Sequence, residues 1–307
     1  AYLSTLGFPQ INLADDLFTA KRSHCITICD EIIRRKLNIR WTSFARVDTV
    51  SLEVLQKMKA AGCTTISFGV ESANAEILKL VKKGITIPKV IKAIEMCKEV
   101  GIDPHVSFIL GLPGETPETL EETQAFGDVL DKMGGAYGFH LLAPFPGTAI
   151  CDENDKYDLT ILTKDWPQYH ANRAIVETTA VKKEMLNKIA EQWDSEVVVN
   201  LERIKQEMLT GEATEFDAWQ IYNLERFTFL YDLMMAGLIE KNGSWLNGQE
   251  PVDKVSALQT LAERIYQDAG KSLDETLDFL KDLVLRNGLN YAQEEGTIKW
   301  EWNEYLS

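Results

Sequence analysis

The chain has 307 residues, of which 45% are hydrophobic and 26% charged, a composition typical of a folded globular protein and not of a disordered one. It contains 32 Lys and Arg residues and 47 Asp and Glu residues, which gives a formal net charge of −15 at pH 7. Binding to a phosphate backbone needs basic stripes, so we expect no nucleic-acid partner. No apolar run approaches the roughly 20 residues of a membrane helix, and we expect no membrane span.

The cysteines are few, odd in number and far apart, at Cys25, Cys29, Cys63, Cys97 and Cys151. Such a set does not build a disulfide scaffold, so we predict a reducing, cytoplasmic location. Cys25 and Cys29 are four residues apart in a helix pattern and share a face, but no further ligand accompanies them. We therefore expect buried packing residues and no metal site in this chain.

Strand and helix patterns alternate through the first half of the chain. Strand candidates begin near residues 10, 41, 65, 105 and 138, and amphipathic stretches separate them. Each gap is long enough for a helix and two loops, which predicts a parallel sheet with helical crossovers. The opening Ala1–Gly7 reads as the end of a helix, so we expect the chain to be a fragment of a longer protein.

The strand pattern fades after about residue 160. Four stretches then have helical patterns, and one short strand candidate ends the chain: helices at 180–209, 216–236, 251–268 and 273–286, and a strand at 297–302. We predict two domains, an α/β barrel-like part over residues 1–160 and a mostly helical part over residues 161–307.

Polar residues or glycines follow each of the five predicted strands. In parallel α/β folds the active site lies at the carboxyl ends of the strands, which makes these residues candidates for function. Asp15 and Asp16 could bind an ammonium group or cap a helix. Arg46 could clamp a carboxylate or pair with a nearby acid such as Asp48. Glu71 is a charge where a strand leaves the core, and we favour a functional role for it.

Two further features stand at or near strand ends. The loop from Gly111 to Thr116 opens a helix whose N-terminus is electropositive, which makes it a weak imitation of a phosphate-binding loop. His105 and His140 fall on the fourth and fifth strand candidates. Each histidine could line the barrel interior or serve as a satisfied structural residue.

Taken in order, the segments from Leu13 to about Thr148 resemble the radical S-adenosylmethionine (SAM) superfamily. The similarity is to the branch in which a cobalamin-binding domain precedes the radical SAM domain, which includes the anaerobic magnesium-protoporphyrin monomethyl ester cyclase and many methyltransferases. The phrases that carry it include Ala14-Asp-Asp-Leu-Phe-Thr19, Trp41-Thr-Ser-Phe-Ala-Arg-Val-Asp48, Phe68-Gly-Val-Glu-Ser72, Lys83-Gly84, Phe108-Ile-Leu-Gly-Leu-Pro-Gly-Glu-Thr116 and Pro144-Phe-Pro-Gly-Thr148.

The resemblance implies a partial TIM-like (β/α)6 barrel, missing its first strand here, followed by an α-helical C-terminal region. It implies a [4Fe–4S] cluster, held by three cysteines of a CxxxCxxC loop, that binds SAM and cleaves it to a 5′-deoxyadenosyl radical. The implied SAM contacts are Asp15 or Asp16 for the ammonium group, Arg46 for the carboxylate or a neighbouring acid, Glu71 and Ser72 for the ribose, Ser107, Ile109 and Gly111 for adenine packing, and the backbone around Leu142 for the adenine edge.

The chain departs from the family in one respect, because CxxxCxxC is not present in its 307 residues. Cys25 and Cys29 have the first spacing, but position 32 is Ile32, and the pair follows Asp15 and Asp16 where the family loop precedes them. We expect the cluster loop to lie upstream, so this chain should neither hold a cluster nor cleave SAM.

The expected function is therefore that of the C-terminal part of a radical SAM enzyme, with methyl transfer and oxidative cyclisation both open. We expect a small-molecule substrate, with a tetrapyrrole-like compound as one option, and cobalamin as a further cofactor. The alternatives are a cobalamin-independent enzyme of the methylthiotransferase or coproporphyrinogen-dehydrogenase kind, and a degenerate, cluster-free barrel that acts as a binding subunit. The oligomeric state stays open.

Overall fold

Five parallel strands form the first sheet, and they lie side by side in chain order. The structure is a computed structural model that describes residues 10–248 and 250–303, so the predicted helix end at Ala1–Gly7 lies outside the described residues. Neighbouring strands are parallel throughout. This confirms the predicted α/β fold class. The strands are β1 (Ile11–Leu13), β2 (Trp41–Ala45), β3 (Cys63–Glu71), β4 (Asp103–Leu110) and β5 (Ala136–Leu141).

Helices make the crossovers between these strands: α1 (Arg22–Arg34), α2 (Leu52–Ala60), α3 (Ala75–Leu80), α4 (Ile87–Val100) and α5 (Pro117–Lys132). Their ends follow local sequence signals. Ser51 caps α2 by accepting a hydrogen bond from the Val54 amide, and Thr116 forms a capping box with Thr119 on α5. Gly101 ends α4 in the left-handed conformation, with φ 75°.

The side chains of β2, β3 and β4 alternate between a face that the helices cover and an open face. On the covered face Trp41, Ile66, Phe68, Val106 and Phe108 are each 0% exposed and belong to one core cluster with residues of α2 and α4. The indole N–H of Trp41 donates to the Ala61 carbonyl at 2.8 Å, so this buried donor is satisfied. Because the period is two, burying these residues places the residues between them on the open face.

Shorter elements follow β5. They are the helix α6 (Ala149–Asp152), an antiparallel pair formed by β6 (Thr160–Ile161) and β7 (Val176–Glu177), and the long helix α7 (Lys183–Thr210). The chain divides into two compact units between residues 197 and 198, within α7. No helix of the described residues is long and apolar enough to cross a bilayer.

The second unit combines helices with a small antiparallel sheet. Its further elements are α8 (Glu215–Met235), α9 (Leu238–Asn242), β8 (Ser244–Leu246), α10 (Lys254–Ile265), α11 (Leu273–Leu285), β9 (Leu289–Glu294) and β10 (Thr297–Trp302), with strand order β8-β10-β9. The predicted helices and the final strand are confirmed, whereas β8 and β9 were not predicted. β8 has only three residues, and the turn between β9 and β10 is made by Glu295 and Gly296, both at positive φ, without the usual Asn-Gly signal.

We predict that Gly62→Ala destabilises the chain far more than Gly147→Ala. Both glycines have positive φ, 94° and 84°, so both substitutions carry the roughly 1 kcal/mol cost of the left-handed conformation. A Cβ at Gly62 would lie 2.1 Å from the Ile39 carbonyl oxygen, whereas at Gly147 it meets nothing within 4 Å. Urea unfolding should show that the free energy of unfolding falls by about 3 kcal/mol or more in Gly62→Ala and by about 1 kcal/mol in Gly147→Ala. Equal losses would contradict this packing.

Candidate functional site

The open face of the sheet is lined by small and polar residues. Strand pairing puts Phe44, Ser67 and His105 in one row, and Gly69, Ser107 and Gly138 in the next row toward the carboxyl ends. The residues of this face are exposed or half-buried, in contrast to the buried residues that alternate with them on β2, β3 and β4. Ser107 is thus flanked on both sides by glycine, which leaves room on the sheet for a flat ligand to approach the backbone.

Ile109 and His140 form the row after Ser107, at the carboxyl end of the sheet. Ile109 packs against a cluster that contains Leu142 and Val176. The Leu142 amide donates to the Leu110 carbonyl at 2.9 Å, so it is already paired within the sheet extension. The structure thus brings Ser107 and Ile109 to the open face and places Leu142 beside Ile109, at the same end of the sheet.

Four charged residues gather at the carboxyl ends of β2 and β3. The Lys83 ammonium lies 2.7 Å from the Glu71 carboxylate, and both side chains are about four-fifths buried, at 18% and 20% exposed. Arg46 donates two hydrogen bonds of 3.0 Å to Asp48 and a third of 2.8 Å to the Lys83 carbonyl. The paired guanidinium holds the pKa of the Asp48 carboxyl below its usual value. We call Arg46, Asp48, Glu71 and Lys83 the charge cluster.

The backbone at Glu71 is in an uncommon conformation. Its φ is 76°, in the region that favours glycine, and the register between β3 and β4 shifts between Gly69 and Glu71. This bulge turns the Glu71 side chain back over Gly69, where a Cβ would lie 2.8 Å from Glu71 Oε1 and 3.4 Å from Lys83 Nζ. A non-glycine residue in such a backbone conformation costs about 1–3 kcal/mol, and residues strained in this way are often found at functional sites.

Other candidates from the sequence have structural partners. Asp15 accepts a hydrogen bond from the Leu17 amide at 2.9 Å and, like Asp16, is exposed. Ser72 is 0% exposed, and its hydroxyl lies 3.3 Å from that of Thr123 and accepts from the Asn74 amide at 3.1 Å. In this conformation Ser72 holds the turn before α3 and does not face the open side of the sheet.

The loop from Gly111 to Thr116 contains its own anion. Glu115 is 1% exposed, and its Oε2 accepts hydrogen bonds from the amides of Gly111 at 2.7 Å and Leu112 at 3.0 Å. These amides are therefore not free to bind a phosphate. Glu115 Oε1 is buried without a hydrogen-bond partner among the described residues, and burial raises the pKa of this carboxyl to about 7.

Gly111 is required for a close approach. Its φ is 91°, and a Cβ there would lie 3.0 Å from Leu186 and 3.4 Å from Val176. The chain therefore passes tightly between β7 and α7 at the carboxyl end of β4. Of the expected adenine-packing residues, Gly111 acts in this structure through packing and backbone shape.

The cysteines and histidines form no metal-binding group among the described residues. Cys25, Cys29, Cys63 and Cys97 are buried free thiols, as expected, and burial raises the pKa of Cys97 to about 12. Cys25 and Cys29 face each other, and the hydrogen bond from this neighbour together with burial raises the pKa of Cys29. His105 lies on the open face, where burial and the nearby His140 lower its pKa, so it is neutral near pH 7.

Comparison with known proteins assigns the first part of the chain to a family. Residues 9–127 match the model of the radical SAM superfamily. This part of the chain is therefore similar to a radical SAM domain, and proteins of that superfamily use a [4Fe–4S] cluster and SAM. The resemblance inferred from the strand-end motifs is confirmed.

Three similar proteins illustrate the match. The chain is 34% identical over 183 residues to an uncharacterized methyltransferase of Pyrococcus horikoshii, covering 60% of this chain and 39% of that protein. It is 30% identical over 185 residues to the anaerobic magnesium-protoporphyrin IX monomethyl ester cyclase of Rubrivivax gelatinosus, covering 59% and 32%. The solved radical SAM methyltransferase TsrM of Kitasatospora setae, with cobalamin and a [4Fe–4S] cluster bound, is 27% identical, covering 55% and 33%, with a TM-score of 0.48. The chain thus spans 32% to 39% of the length of these three proteins.

We predict that Glu115→Gln removes a pH dependence of stability. Because the folded-state pKa is about 7 against an ordinary 4.5, the wild-type carboxyl contributes fully below pH 4.5 and its contribution is lost as pH rises through 7. The difference in unfolding free energy between wild type and Glu115→Gln should shift by roughly 3 kcal/mol in favour of the variant between pH 4.5 and 8. Glu118→Gln, at an exposed position in the first turn of α5, keeps Glu115, so its unfolding free energy should change with pH in parallel with that of the wild type. Parallel curves for wild type and Glu115→Gln in urea titrations would contradict the assignment.

Proposed function

We propose that this chain binds SAM on the open face of its five-stranded sheet, as one part of a radical SAM enzyme. The observation that carries the proposal is the row Gly69, Ser107 and Gly138, which ends beside the charge cluster. A flat nucleoside needs a smooth, partly polar floor, and a serine with one glycine on each side provides such a floor. The amino-acid end of SAM needs charges of both signs, and the charge cluster has two of each.

The methionine part of SAM has an α-carboxylate and an α-ammonium group. Arg46 and Lys83 are the cations placed to meet the carboxylate, and Lys83 is a residue that sequence reasoning did not assign. Asp15 or Asp16 would meet the ammonium group, since both carboxylates are exposed at the carboxyl end of the neighbouring strand β1. In this arrangement the Glu71–Lys83 pair opens, and each partner exchanges one charged contact for another.

The adenosine part would extend along the open face from Glu71. Glu71 is placed to accept hydrogen bonds from the ribose hydroxyls, because its side chain folds back over Gly69. Ser107 and Ile109 would contact the adenine, and the backbone around Leu142 would border its edge. Ser72 would act through the turn that it holds and not by direct contact.

The described residues do not fit a [4Fe–4S] cluster. Such a cluster needs three accessible thiolates, whereas Cys25, Cys29, Cys63 and Cys97 are buried thiols and no described group of three ligands could hold a metal. The proposal therefore assigns cluster binding to residues outside these, and the chain on its own is inactive in SAM cleavage.

The reaction of the whole protein is proposed from its relatives. Two of them are named as a methyltransferase and as an anaerobic magnesium-protoporphyrin IX monomethyl ester cyclase. We propose a small-molecule substrate, with methyl transfer and oxidative cyclisation as the two reaction classes and cobalamin as a further cofactor. A cobalamin-independent enzyme, of the methylthiotransferase or coproporphyrinogen-dehydrogenase kind, is the alternative within the same superfamily.

A second candidate is a cluster-free binding subunit, favoured by the absence of a metal-binding group among the described residues. The upstream sequence of the parent gene distinguishes the enzyme from the binding subunit. An upstream CxxxCxxC loop, with iron, sulfide and SAM cleavage in the reconstituted full-length protein, supports the enzyme. A parent gene without a cysteine triad overturns the enzyme and leaves the binding subunit.

We predict that Gly138→Val abolishes nucleoside binding without unfolding the chain. A Cβ at Gly138 makes only ordinary contacts of 3.8 Å with His105, so the added methyl groups project onto the open face where the adenosine part of SAM would lie. Saturation-transfer NMR with S-adenosylhomocysteine should show binding to the wild-type chain and at least a tenfold weaker effect in Gly138→Val.

The matched control is Thr65→Val, which changes the same face two rows nearer the amino ends of the strands. This variant should bind S-adenosylhomocysteine like the wild type. If Gly138→Val binds normally while remaining folded by circular dichroism, or if Thr65→Val loses binding equally, the nucleoside does not lie on the Ser107 row.

A further inference from the structure

A second cavity lies on the side of the sheet opposite to the proposed SAM site. It has a volume of about 290 Å³ and is bordered by α5, β5 and the first half of α7. Tyr137 and Phe139 line it, and they alternate along β5 with Gly138 and His140 of the open face. A ligand in this cavity would therefore not meet the residues that we assign to SAM.

Three aromatic rings form one wall of the cavity. The ring of Trp193 lies 4.8 Å from that of Tyr137 and 5.2 Å from that of Phe139, and the Tyr137 and Phe139 rings are 5.6 Å apart. The Trp193–Phe139 and Tyr137–Phe139 pairs are close to perpendicular, with interplanar angles of 77° and 72°. All three rings are half-buried and line the cavity, and an aromatic face attracts a cation placed over it.

Three carboxylates border the same cavity, from Glu121 and Asp128 on α5 and Glu196 on α7. None of them forms an ion pair with Lys, Arg or His within the described part of the chain. Two of them have neutral hydrogen-bond partners: the Tyr137 hydroxyl lies 3.5 Å from Asp128, and the Gln192 amide donates to Glu196 at 3.0 Å. Burial together with nearby carboxylates, Asp128 first among them, raises the pKa of Tyr137 to about 12, as expected beside uncompensated negative charge.

We propose that this cavity binds a guanidinium group. A planar guanidinium can stack on an aromatic face and donate in-plane hydrogen bonds to carboxylates, which uses both walls of the cavity at once. A quaternary ammonium would leave the carboxylates without hydrogen bonds, and a compact ammonium would leave the ring faces unstacked. Among the described residues no group of three or more His, Cys, Asp and Glu side chains could hold a metal ion, and this holds for the three carboxylates of the cavity.

The cavity volume limits the ligand to one side chain or a small molecule, since pockets for larger ligands run from about 300 to 1,000 Å³. The guanidinium could belong to an arginine side chain of a polypeptide or to free arginine. Both sources share the chemistry that the cavity recognises. They differ at the α-carbon, where free arginine carries an α-ammonium and an α-carboxylate and a polypeptide arginine carries two uncharged amides.

The test is calorimetric titration of the 307-residue chain with N-acetyl-L-arginine amide at low salt. We expect saturable binding that weakens at least tenfold with N-acetyl-L-citrulline amide, the neutral isostere, and several-fold with N-acetyl-L-lysine amide. Equal binding of the citrulline compound, or no binding of the arginine compound, would overturn the proposal. Free L-arginine, titrated in parallel, identifies the source: weaker binding than the capped amide indicates a polypeptide arginine, and equal or tighter binding indicates the small molecule.

Two pairs of variants locate the site. Trp193→Leu should lose binding at least tenfold, whereas Trp166→Leu, at a tryptophan that is 57% exposed and does not line the cavity, should bind normally. Because Trp193→Leu removes packing as well, Glu196→Gln is paired with Glu191→Gln, an exposed glutamate of the same helix outside the cavity. Glu196→Gln should weaken binding several-fold and Glu191→Gln should not. Equal effects within both pairs would show that the guanidinium binds elsewhere and would overturn the proposal.

Discussion

The period-two alternation of the parallel strands is the constraint on which the rest of the structure depends. Burying Trp41, Phe68 and Phe108 under the helices contributes about 1.5–3 kcal/mol for each side chain, and it leaves no freedom in which way the residues between them point. Gly69 and Ser107 must then lie on the open face, in the same row as Gly138. The floor of the proposed SAM site is thus a consequence of core packing on the opposite side of the sheet.

Function is added where the strands end and regular pairing stops. The bulge before Glu71 and its positive φ bend that side chain over Gly69, and Lys83 compensates its charge. Arg46 ties this pair to β2 through the Lys83 carbonyl. The same end of the sheet contains Glu115, a carboxyl that saturates the amides of its own loop. The molecule therefore keeps two kinds of acid there: Glu71, which is partly accessible and paired with Lys83, and Glu115, which is buried and has its pKa raised to about 7.

Much of this arrangement could be predicted from the sequence, because hydrophobic alternation and caps are local signals. The five strands, Ser51, Gly101 and Thr116 all follow from them. The partners could not be predicted: Lys83 reaches Glu71 across 12 residues, and Ser72 turns inward to Thr123 across 51 residues, contacts that only tertiary packing determines. The β8 and β9 strands escaped prediction because one is three residues long and the other is joined to β10 by an unusual Glu-Gly turn. The contact between the aromatic rings of Tyr137, Phe139 and Trp193 could not be predicted from local sequence either, because the rings come from two elements that are distant in the chain.

The central claim is that the open face of the sheet, and not its helix-covered face, receives the nucleoside. Amide chemical-shift mapping of the ¹⁵N-labelled chain with S-adenosylhomocysteine measures this directly. The account predicts the largest shifts at Gly69, Glu71, Ser107 and Gly138, with little change at Trp193. Shifts confined to Trp193 and the neighbouring residues of α5, or an unperturbed spectrum at saturating ligand, would contradict it.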